Sequence, residues 1–298
     1  MPELPDIVVY IESLERRVLG DTVTGVRVTS PAVMRTYHPP YDAPVGEKVT
    51  SIQRVGKRIV FELGTERSLF VVLHLMVAGR LKWETPGKPV PKKVGLAAFD
   101  FTRGTLILTE QGSHKRAGIW VMDSWEGVQS LDRGGIEPLE ISGEEFAAAL
   151  RAENRTLKRA LTDPRILSGI GNAYSDEILW SAQLSPVKRT SQLSGEEMLA
   201  LHRAVVESLT TWTETLRAEV GENWPAKVTA FRDDMAVHGK FGEPCPRCGS
   251  KVQRIVYSSN ETNYCATCQT GGKLLADRSL SRLLKDDWPK TLEELEEV

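Results

Sequence analysis

Apolar side chains recur every three to four positions between residues 4 and 19, and this pattern stops at Gly20. A period close to that of the α-helix, ended by a glycine, predicts one amphipathic helix at the start of the chain. The apolar positions that define this helix are Ile7, Val8, Ile11, Leu14 and Val18.

From Val23 to about Val121 the apolar residues instead lie in short runs, which Gly, Pro and Asp separate at turn spacing. Such runs are typical of strands rather than helices. The clearest runs are residues 26–28, 52–55, 58–63, 69–73, 96–101, 106–108 and 119–121. Together with the first helix they predict an N-terminal β-sandwich domain over residues 1–136.

The pattern becomes helical again after Glu137-Pro138. Helices are predicted over residues 143–151, 155–162, 171–182 and 194–220. A short connector that contains Pro and Gly, residues 163–172, joins the second of these helices to the third. These elements predict a helical domain over residues 137–238.

All four cysteines of the chain lie in two Cys-x-x-Cys pairs that sixteen residues separate. Two such pairs complete a closed tetrahedral zinc site, which leaves no position for a reacting water. Two disulfides or a redox-active pair are the alternatives, and a cytosolic chain favours zinc over both. The predicted ligands of this structural Zn²⁺ are Cys245, Cys248, Cys265 and Cys268. Residues 251–257 and 262–264 between the pairs suit a β-hairpin, and the zinc finger is predicted over 239–285.

Composition and charge narrow the class of protein. With 298 residues, 41% of them hydrophobic, the chain suggests about two domains of a globular protein. No apolar run is long enough to span a bilayer, and the first residues lack a secretory signal, so we expect a cytoplasmic protein without a membrane partner.

The net charge of −2 conceals an uneven distribution. Residues 239–285 hold eight Lys and Arg against three acids, whereas the predicted acidic tail, residues 286–298, holds six acids and one Lys. Local charge rather than total charge decides contact with phosphate. The basic finger therefore favours a nucleic-acid partner, although some zinc ribbons bind only protein.

A Gly-Ile-Gly-Asn sequence at residues 169–172 precedes a predicted helix. The glycines permit a tight turn, and the free N–H groups at the helix start can bind an anion. The side chain of Asn172 can add another donor. The alternative is a plain packing corner between two helices.

The chain begins Met1-Pro2-Glu3-Leu4-Pro5. Removal of Met1 would leave Pro2 with a free imino nitrogen, which titrates near roughly 7.7–8.0 and is a nucleophile at neutral pH. Its attack on a sugar aldehyde gives a cationic iminium, and Glu3 beside it can act as a general acid or base. The alternative is a chain start without chemical meaning.

Taken in order along the chain, the Pro2-Glu3-Leu4-Pro5 start, the connector at 169–172 and the four-cysteine finger resemble the formamidopyrimidine-DNA glycosylase/endonuclease VIII family. Further matches are residues 55–57, 74–79 and 242–245. The resemblance covers nearly the whole chain. It implies an α+β fold with an N-terminal β-sandwich, a helix–two-turn–helix domain and a C-terminal four-cysteine zinc finger.

The resemblance implies a bifunctional DNA glycosylase/AP lyase of base excision repair, which acts on damaged double-stranded DNA. Pro2 would attack C1′ of a flipped nucleotide, Glu3 would protonate the sugar oxygen, and Lys57 would hold the neighbouring phosphate. We expect a monomer that works at the bacterial nucleoid. The further DNA contacts implied are those of His74, Arg116, Lys158, Asn172 and Asn260.

Four positions depart from the family pattern. Asp6 replaces a Glu, Val77 replaces the Met of the wedge that fills the space of the flipped base, and Ala117 replaces a Phe in the same wedge. Asn260 replaces an Arg of the finger, so a neutral amide stands where a guanidinium would clamp phosphate.

These departures leave the activity and the lesion open. The loop of residues 221–231 is short for a lid over 8-oxoguanine, so oxidised pyrimidines and abasic sites are candidate substrates equal to 8-oxoguanine. The sequence also leaves open whether the strand is cut by β-elimination or by β,δ-elimination. The alternative function is a catalytically weak protein that binds DNA lesions on the same scaffold. A zinc-ribbon accessory factor of transcription or replication does not explain the Pro2-Glu3 start.

Overall fold

The computed structural model describes residues 1–64, 68–112, 114–229, 231–257, 260–276, 283 and 289–296. The chain divides into two compact units, Met1–Arg133 with Trp212–Thr229, and Gly134–Thr211 with Ala230–Val298. The domain limits predicted from the sequence stay predictions. Arg278, Arg282 and Lys285 of the basic finger and much of the acidic tail lie outside the described residues.

The first unit begins with helix α1 (Leu4–Val18) and continues with two antiparallel sheets of four strands each. One sheet has the order β1-β6-β7-β5 and the other has the order β2-β3-β4-β8. Their bounds are β1 Val23–Val28, β2 Val49–Val55, β3 Arg58–Leu63, β4 Leu69–His74, β5 Gly79–Glu84, β6 Gly95–Phe101, β7 Thr105–Glu110 and β8 Gly118–Met122. A short helix, α2 (Trp125–Gln129), follows β8.

One hydrophobic core joins the inner faces of both sheets to α1. Tyr10 and Leu14 of the helix are fully buried against residues such as Ile59, Leu73 and Leu108. Strand β4 is buried at successive positions because its outer face is covered as well, by the cluster around Val60, Phe70, Val72 and Val128. The β-sandwich predicted from the strand runs is confirmed.

The second unit holds helices α3 (Gly143–Arg151), α4 (Leu157–Thr162) and α5 (Asn172–Ser181), and helix α6 (Gly195–Val220) starts in it. Two Ser-x-x-Glu sequences start helices by reciprocal capping. The Ser142 hydroxyl accepts from the Glu145 N–H, and the Glu145 carboxylate accepts from the Ser142 N–H. Ser194 and Glu197 repeat this arrangement at α6.

The finger segment forms a β-hairpin of β9 (Val252–Val256) and β10 (Glu261–Cys265), followed by α7 (Ala266–Thr270). A last helix, α8, spans Leu292–Glu296. None of the helices in the described part of the chain is long and apolar enough to cross a membrane. The mixed α+β architecture with a finger of four cysteines is confirmed.

The sequence analysis did not predict four of the elements named above, β5, α2, α7 and α8. Strand β5 reads Gly-Arg-Leu-Lys-Trp-Glu, so its composition does not favour a strand. Pairing with β7 over its whole length forms it, and Leu81 is its buried anchor.

Gly79→Ala should destabilise the first unit by about 1–3 kcal/mol, the usual cost of overpacking. A Cβ at this position would lie 2.2 Å from the carbonyl oxygen of Leu75, which accepts from the Gly79 N–H. Gly195→Ala is the control, because nothing lies within 4 Å of its Cβ and it sits in α6. Urea unfolding measures both, and equal stabilities of the two variants would contradict the close approach.

Candidate active site and metal centre

The start of α1 holds the predicted catalytic residues Pro2 and Glu3 in a buried position. Pro5 fits the first helical turn because its missing N–H has no partner to serve there. The Asp6 carboxylate turns back and accepts a hydrogen bond of 2.8 Å from the Glu3 N–H. This bond fixes the peptide that joins Pro2 to Glu3.

Burial raises the pKa of Asp6 to about 7, and the negative charge of Glu3 adds to the effect. The Glu3 N–H works in the opposite direction, because it stabilises the charged carboxylate. Asp6 therefore titrates near neutral pH, beside the residues that would perform the chemistry.

The terminal amine of the chain lies within electrostatic reach of four charged side chains. In this structure the amine belongs to Met1, and burial lowers its pKa. Glu3 and Asp6 raise this pKa, whereas Arg80 and Lys57 lower it. An amine with a lowered pKa is more often unprotonated at neutral pH, which is the form that attacks a carbon.

Lys57 follows Gly56, whose φ of +61° makes the turn between β2 and β3. Burial lowers the pKa of the Lys57 ammonium, and the Glu3 carboxylate raises it. The structure thus brings Glu3, Lys57 and the terminal amine into one electrostatic environment.

His74 ends strand β4, directly opposite Arg58 of β3. Burial lowers the pKa of His74 to about 4, and the positive charges of Arg58 and Lys57 lower it further. The imidazole is therefore neutral at pH 7, so it can donate an N–H but carries no charge of its own.

A cavity of about 330 Å³ opens beside Asp6 within the first unit. Its lining includes Val9, Asn223, Trp224, Lys227 and Val228. The volume falls in the range of about 300–1,000 Å³ that is usual for small-molecule pockets, and the mostly apolar lining carries a few polar groups.

Arg80 and Trp224 hold the segment that lines this cavity. The Arg80 Nε–H donates to the carbonyl oxygen of Val228 at 2.5 Å, and the Trp224 indole N–H donates to that of Leu81 at 3.0 Å. Tyr10 packs against the Trp224 ring at 5.6 Å between centroids. Sequence analysis missed Arg80, because an Arg in a strand gave no sign of the distant carbonyl that it binds.

The two predicted wedge positions differ in exposure. Val77 is 53% exposed at the turn after β4, next to Met76, whose φ of +52° is unusual for a residue other than Gly. Ala117 is instead buried in the core, and its N–H donates to Glu110. Arg116 beside it is exposed, with its own N–H also bound to Glu110.

Lys158 and Asn172 of the second unit are joined to each other and to two buried groups. The Lys158 ammonium donates to the Asn172 carbonyl oxygen at 2.7 Å and to the Asp176 carboxylate at 2.5 Å. Asp176 also contacts the His238 ring nitrogen Nδ1 at 2.7 Å. The Asn172 amide donates to the carbonyl oxygen of Glu261, while its oxygen is buried without a partner.

Glu177 organises the chain that leads into the finger. Its carboxylate accepts from the N–H groups of Ala236, Val237 and His238 at 2.8–2.9 Å. Burial raises the pKa of Glu177, and these three N–H groups oppose that rise. The buried carboxylate thus sets the path of the segment that ends at Cys245.

The four cysteine sulfurs lie within 4.8 Å of one another. The distance is 3.9 Å from Cys245 Sγ to Cys268 Sγ and 3.4 Å from Cys248 Sγ to Cys265 Sγ. Zn–S bonds of about 2.3 Å in a tetrahedron require S···S separations of roughly 3.8 Å, so the sulfur set fits Zn²⁺. The chain carries a structural zinc site in its finger, and the Trp180 indole N–H supports Cys245 Sγ at 3.3 Å.

Asn260 lies in the turn between β9 and β10, where it is exposed. Its carbonyl oxygen accepts from the Tyr257 N–H at 2.8 Å. Asn260 thus lies at the end of the hairpin, next to Glu261 of β10, whose carbonyl oxygen accepts from the Asn172 amide.

Comparison with known families matches three segments of the chain. Residues 1–113 match the formamidopyrimidine-DNA glycosylase N-terminal domain, residues 135–220 match the H2TH domain of the same glycosylase, and residues 242–271 match the zinc finger found in FPG and IleRS. An uncharacterized formamidopyrimidine-DNA glycosylase-like protein of Mycobacterium tuberculosis is 40% identical over 151 residues, which cover 51% of this chain and 94% of that relative. The chain belongs to the formamidopyrimidine-DNA glycosylase/endonuclease VIII family.

Longer relatives and solved structures of the family cover most of the chain. The formamidopyrimidine-DNA glycosylase of Lactococcus lactis subsp. cremoris is 28% identical over 277 residues, which cover 90% of this chain and 99% of the relative. The Lactococcus lactis Fpg bound to DNA with an abasic site gives a TM-score of 0.78 at 25% identity, over 90% of this chain and 99% of that one. MutM bound to DNA with carbocyclic 8-oxo-G gives a TM-score of 0.78 at 26% identity, over 90% of this chain and 100% of that one.

Asp6→Asn should change how stability depends on pH. Unfolded Asp titrates near about 3.9, whereas folded Asp6 titrates at about 7. Between these values the folded state keeps a proton that the unfolded state has released, so the free energy of unfolding falls as the pH rises. Asn lacks this ionisation and can still accept from the Glu3 N–H.

The stability of Asp6→Asn relative to the unmodified protein should therefore increase by up to about 4 kcal/mol between about pH 4 and pH 8. Urea unfolding at a series of pH values, followed through Trp fluorescence, measures the difference. A difference that stays constant over this range would show that Asp6 is ionised in the folded protein throughout.

Cys265→Ser should release zinc and weaken DNA binding while the first unit stays folded. Serine lacks the thiolate, and metal binding supplies much of the folding energy of a small zinc module. Metal analysis and circular dichroism report the two effects separately, with about one zinc per chain expected before the substitution. Zinc far below that level in freshly purified unmodified protein would contradict the site.

Proposed function

We propose that this protein is a DNA glycosylase with AP lyase activity that acts in base excision repair through its terminal proline. One observation carries the proposal. The terminal amine, which belongs to Met1 here and would belong to Pro2 after processing, shares its electrostatic environment with Glu3 and Lys57. A nucleophile, a carboxyl group and a phosphate-binding cation are the groups that this chemistry requires.

The first step would displace the damaged base. After removal of Met1 the Pro2 nitrogen forms a bond to C1′, and the bond from C1′ to the base breaks with its electron pair leaving on the base. The N–H proton of Pro2 passes to the departing base, so that the nitrogen is neutral before the ring opens. Glu3 gives a proton to the sugar oxygen, so that the ring opens and the C1′–N bond becomes an iminium. Both residues lie at the start of α1, where the bond from Glu3 to Asp6 holds the backbone.

The second step would break the DNA strand. The iminium acidifies the C2′ proton, and transfer of this proton to water moves the C2′–H electron pair so that the 3′ phosphate is expelled with the electron pair of its bond (β-elimination). Lys57 would bind the phosphate next to the lesion, and the neutral His74 would donate an N–H to the same backbone. Water then releases the sugar from Pro2 unless the 5′ phosphate leaves first (δ-elimination).

The cavity beside Asp6 is the pocket that we propose for the extruded base. Extrusion is required because the reacting atoms are hidden in a stacked duplex. Its volume of about 330 Å³ and its lining of Asp6, Asn223 and Trp224 support a flat ligand with polar edges. Oxidised purines, oxidised pyrimidines and abasic sites remain open as substrates.

The proposed DNA contacts differ in how directly the side chain can reach phosphate. Arg116 and Asn260 are exposed, which supports direct contact. Lys158 is almost buried and forms an ion pair with Asp176, so we propose that it positions the start of α5 rather than binding phosphate itself. At this helix start, free N–H groups and Asn172 would bind the DNA backbone. The solved relatives bound to lesion-bearing DNA support the partner class.

A catalytically weak lesion-binding protein is the second candidate. The neutral Asn260 and the buried Ala117 favour it, because one reduces the grip on phosphate and the other adds nothing to a wedge. The retained Pro2, Glu3 and Lys57 favour the enzyme, since binding alone gives no reason for a nucleophile at the terminus.

Borohydride should trap a covalent adduct between the processed protein and a duplex with an abasic site. Reduction of the proposed iminium gives a stable amine, which mass spectrometry and gel electrophoresis detect. An extra residue before Pro2 converts the amine into an amide and should abolish trapping. Glu3→Gln should lower base excision by roughly 10²–10⁴-fold, as expected for a lost general acid.

Elimination at a pre-formed abasic site should suffer less from Glu3→Gln, because that sugar already opens in water. Mass spectrometry must first confirm that Met1 is absent from the protein used. An adduct that forms equally well with Met1 retained would place the nucleophile on another amine and refute the role of Pro2.

A further inference from the structure

Four strand ends meet at one edge of the sheet β2-β3-β4-β8. Strand β2 ends at Val55, β3 begins at Arg58, β4 ends at His74 and β8 begins at Gly118. Arg58 is paired with His74, and His74 is paired with Gly118. Directly opposed residues project from the same face of a sheet, so Arg58 lies beside His74 there.

The Arg58 guanidinium is only partly satisfied. Its Nε–H is buried and has no hydrogen-bond partner, and no ion pair of Arg58 occurs among the residues that the structure describes. The guanidinium lies 6.0 Å from the Trp120 ring centroid. A buried donor without a partner destabilises a fold, so a ligand that hydrogen-bonds to this guanidinium would be favoured.

The charges around Arg58 favour a bound anion. Burial lowers the pKa of Arg58, Arg133 lowers it further, and Asp132 opposes them. Arg58 and Lys57 both lower the pKa of His74, so the positive charges of both residues lie within electrostatic reach of its imidazole. Two cations that act on one histidine favour a negative ligand beside it.

We propose that Arg58 binds a phosphate of the DNA backbone at this sheet edge, next to the phosphate contact of Lys57. The ligand rests on the proposed function, which places DNA on this surface. A guanidinium suits the task because its planar fork can hold two phosphate oxygens at once, which a lysine cannot do. Stacking beside Trp120 restricts the orientation of that fork.

Replacement of single phosphates by neutral methylphosphonates tests the contact. The duplex carries a non-cleavable abasic analogue, and each phosphate near it is replaced in turn. The unmodified protein should lose affinity at a few positions. Arg58→Met should bind the unmodified duplex roughly tenfold more weakly and should lower the salt slope of log Kd by about 0.9. At one of those positions, a methylphosphonate should no longer change the affinity of this variant.

Lys82→Met is the matched control, because Lys82 is exposed on β5 of the other sheet and loses the same charge. It should leave the methylphosphonate pattern as it is. Arg58→Lys keeps the charge without the fork, so it should preserve the salt slope and lose part of the affinity at the same phosphate. An Arg58→Met protein with unchanged affinity, or one that stays sensitive at every position, overturns the proposal.

Stability and trapping separate this inference from its rivals. Methionine removes the unpartnered donor and can still pack against Trp120, so Arg58→Met should unfold at the same temperature or higher. Marked destabilisation together with an unchanged methylphosphonate pattern would assign Arg58 a purely structural role. Loss of borohydride trapping in the unmodified protein would refute the lyase and leave the phosphate contact standing if the pattern changes as expected.

Discussion

The hydrogen bond from the Glu3 N–H to Asp6 is the constraint on which the candidate site depends. The proposed nucleophile is a terminal amine, which has no preceding chain to hold it, so the residues after it must supply its positioning. Here the first turn of α1 does so, with its backbone fixed by a buried carboxylate and its apolar face anchored in the sandwich core.

The second unit uses buried carboxylates for the same purpose. Asp176 receives Lys158 and His238, and its neighbour Glu177 receives three successive backbone N–H groups. A buried charge is costly unless donors surround it, so each such carboxylate permits few arrangements of its neighbours. These two acids fix the start of α5 and the segment that leads to the zinc ligands, and Trp180 of the same helix supports Cys245.

Local signals predicted those parts of the fold whose cause is local. The apolar period of α1, the runs of β3 and β4, and the spacing of the cysteines each lie in one short stretch of sequence, and each predicted the element that is observed. Strand β5 forms because it pairs with β7, and the sequence of β5 has no periodicity that predicts this pairing. The site shows the same difference between local and long-range causes. Pro2 and Glu3 form a local motif, so the sequence predicted them. The Arg80 contact to Val228 spans 148 positions of the chain and was not visible.

The departures from the family pattern gain physical meaning from where the structure places them. The Asp6 carboxylate lies at the helix start, where it binds the Glu3 N–H and titrates near neutrality. The loss of a guanidinium at Asn260 removes charge from an exposed turn. A chain with a net charge of −2 can still bind DNA, because what counts is cations that lack internal partners at the contact surface. Some of its arginines pair with carboxylates, such as Arg27 with Asp100 and Arg217 with Glu12, whereas Arg58 has no ion pair in the described part of the chain and is available to phosphate.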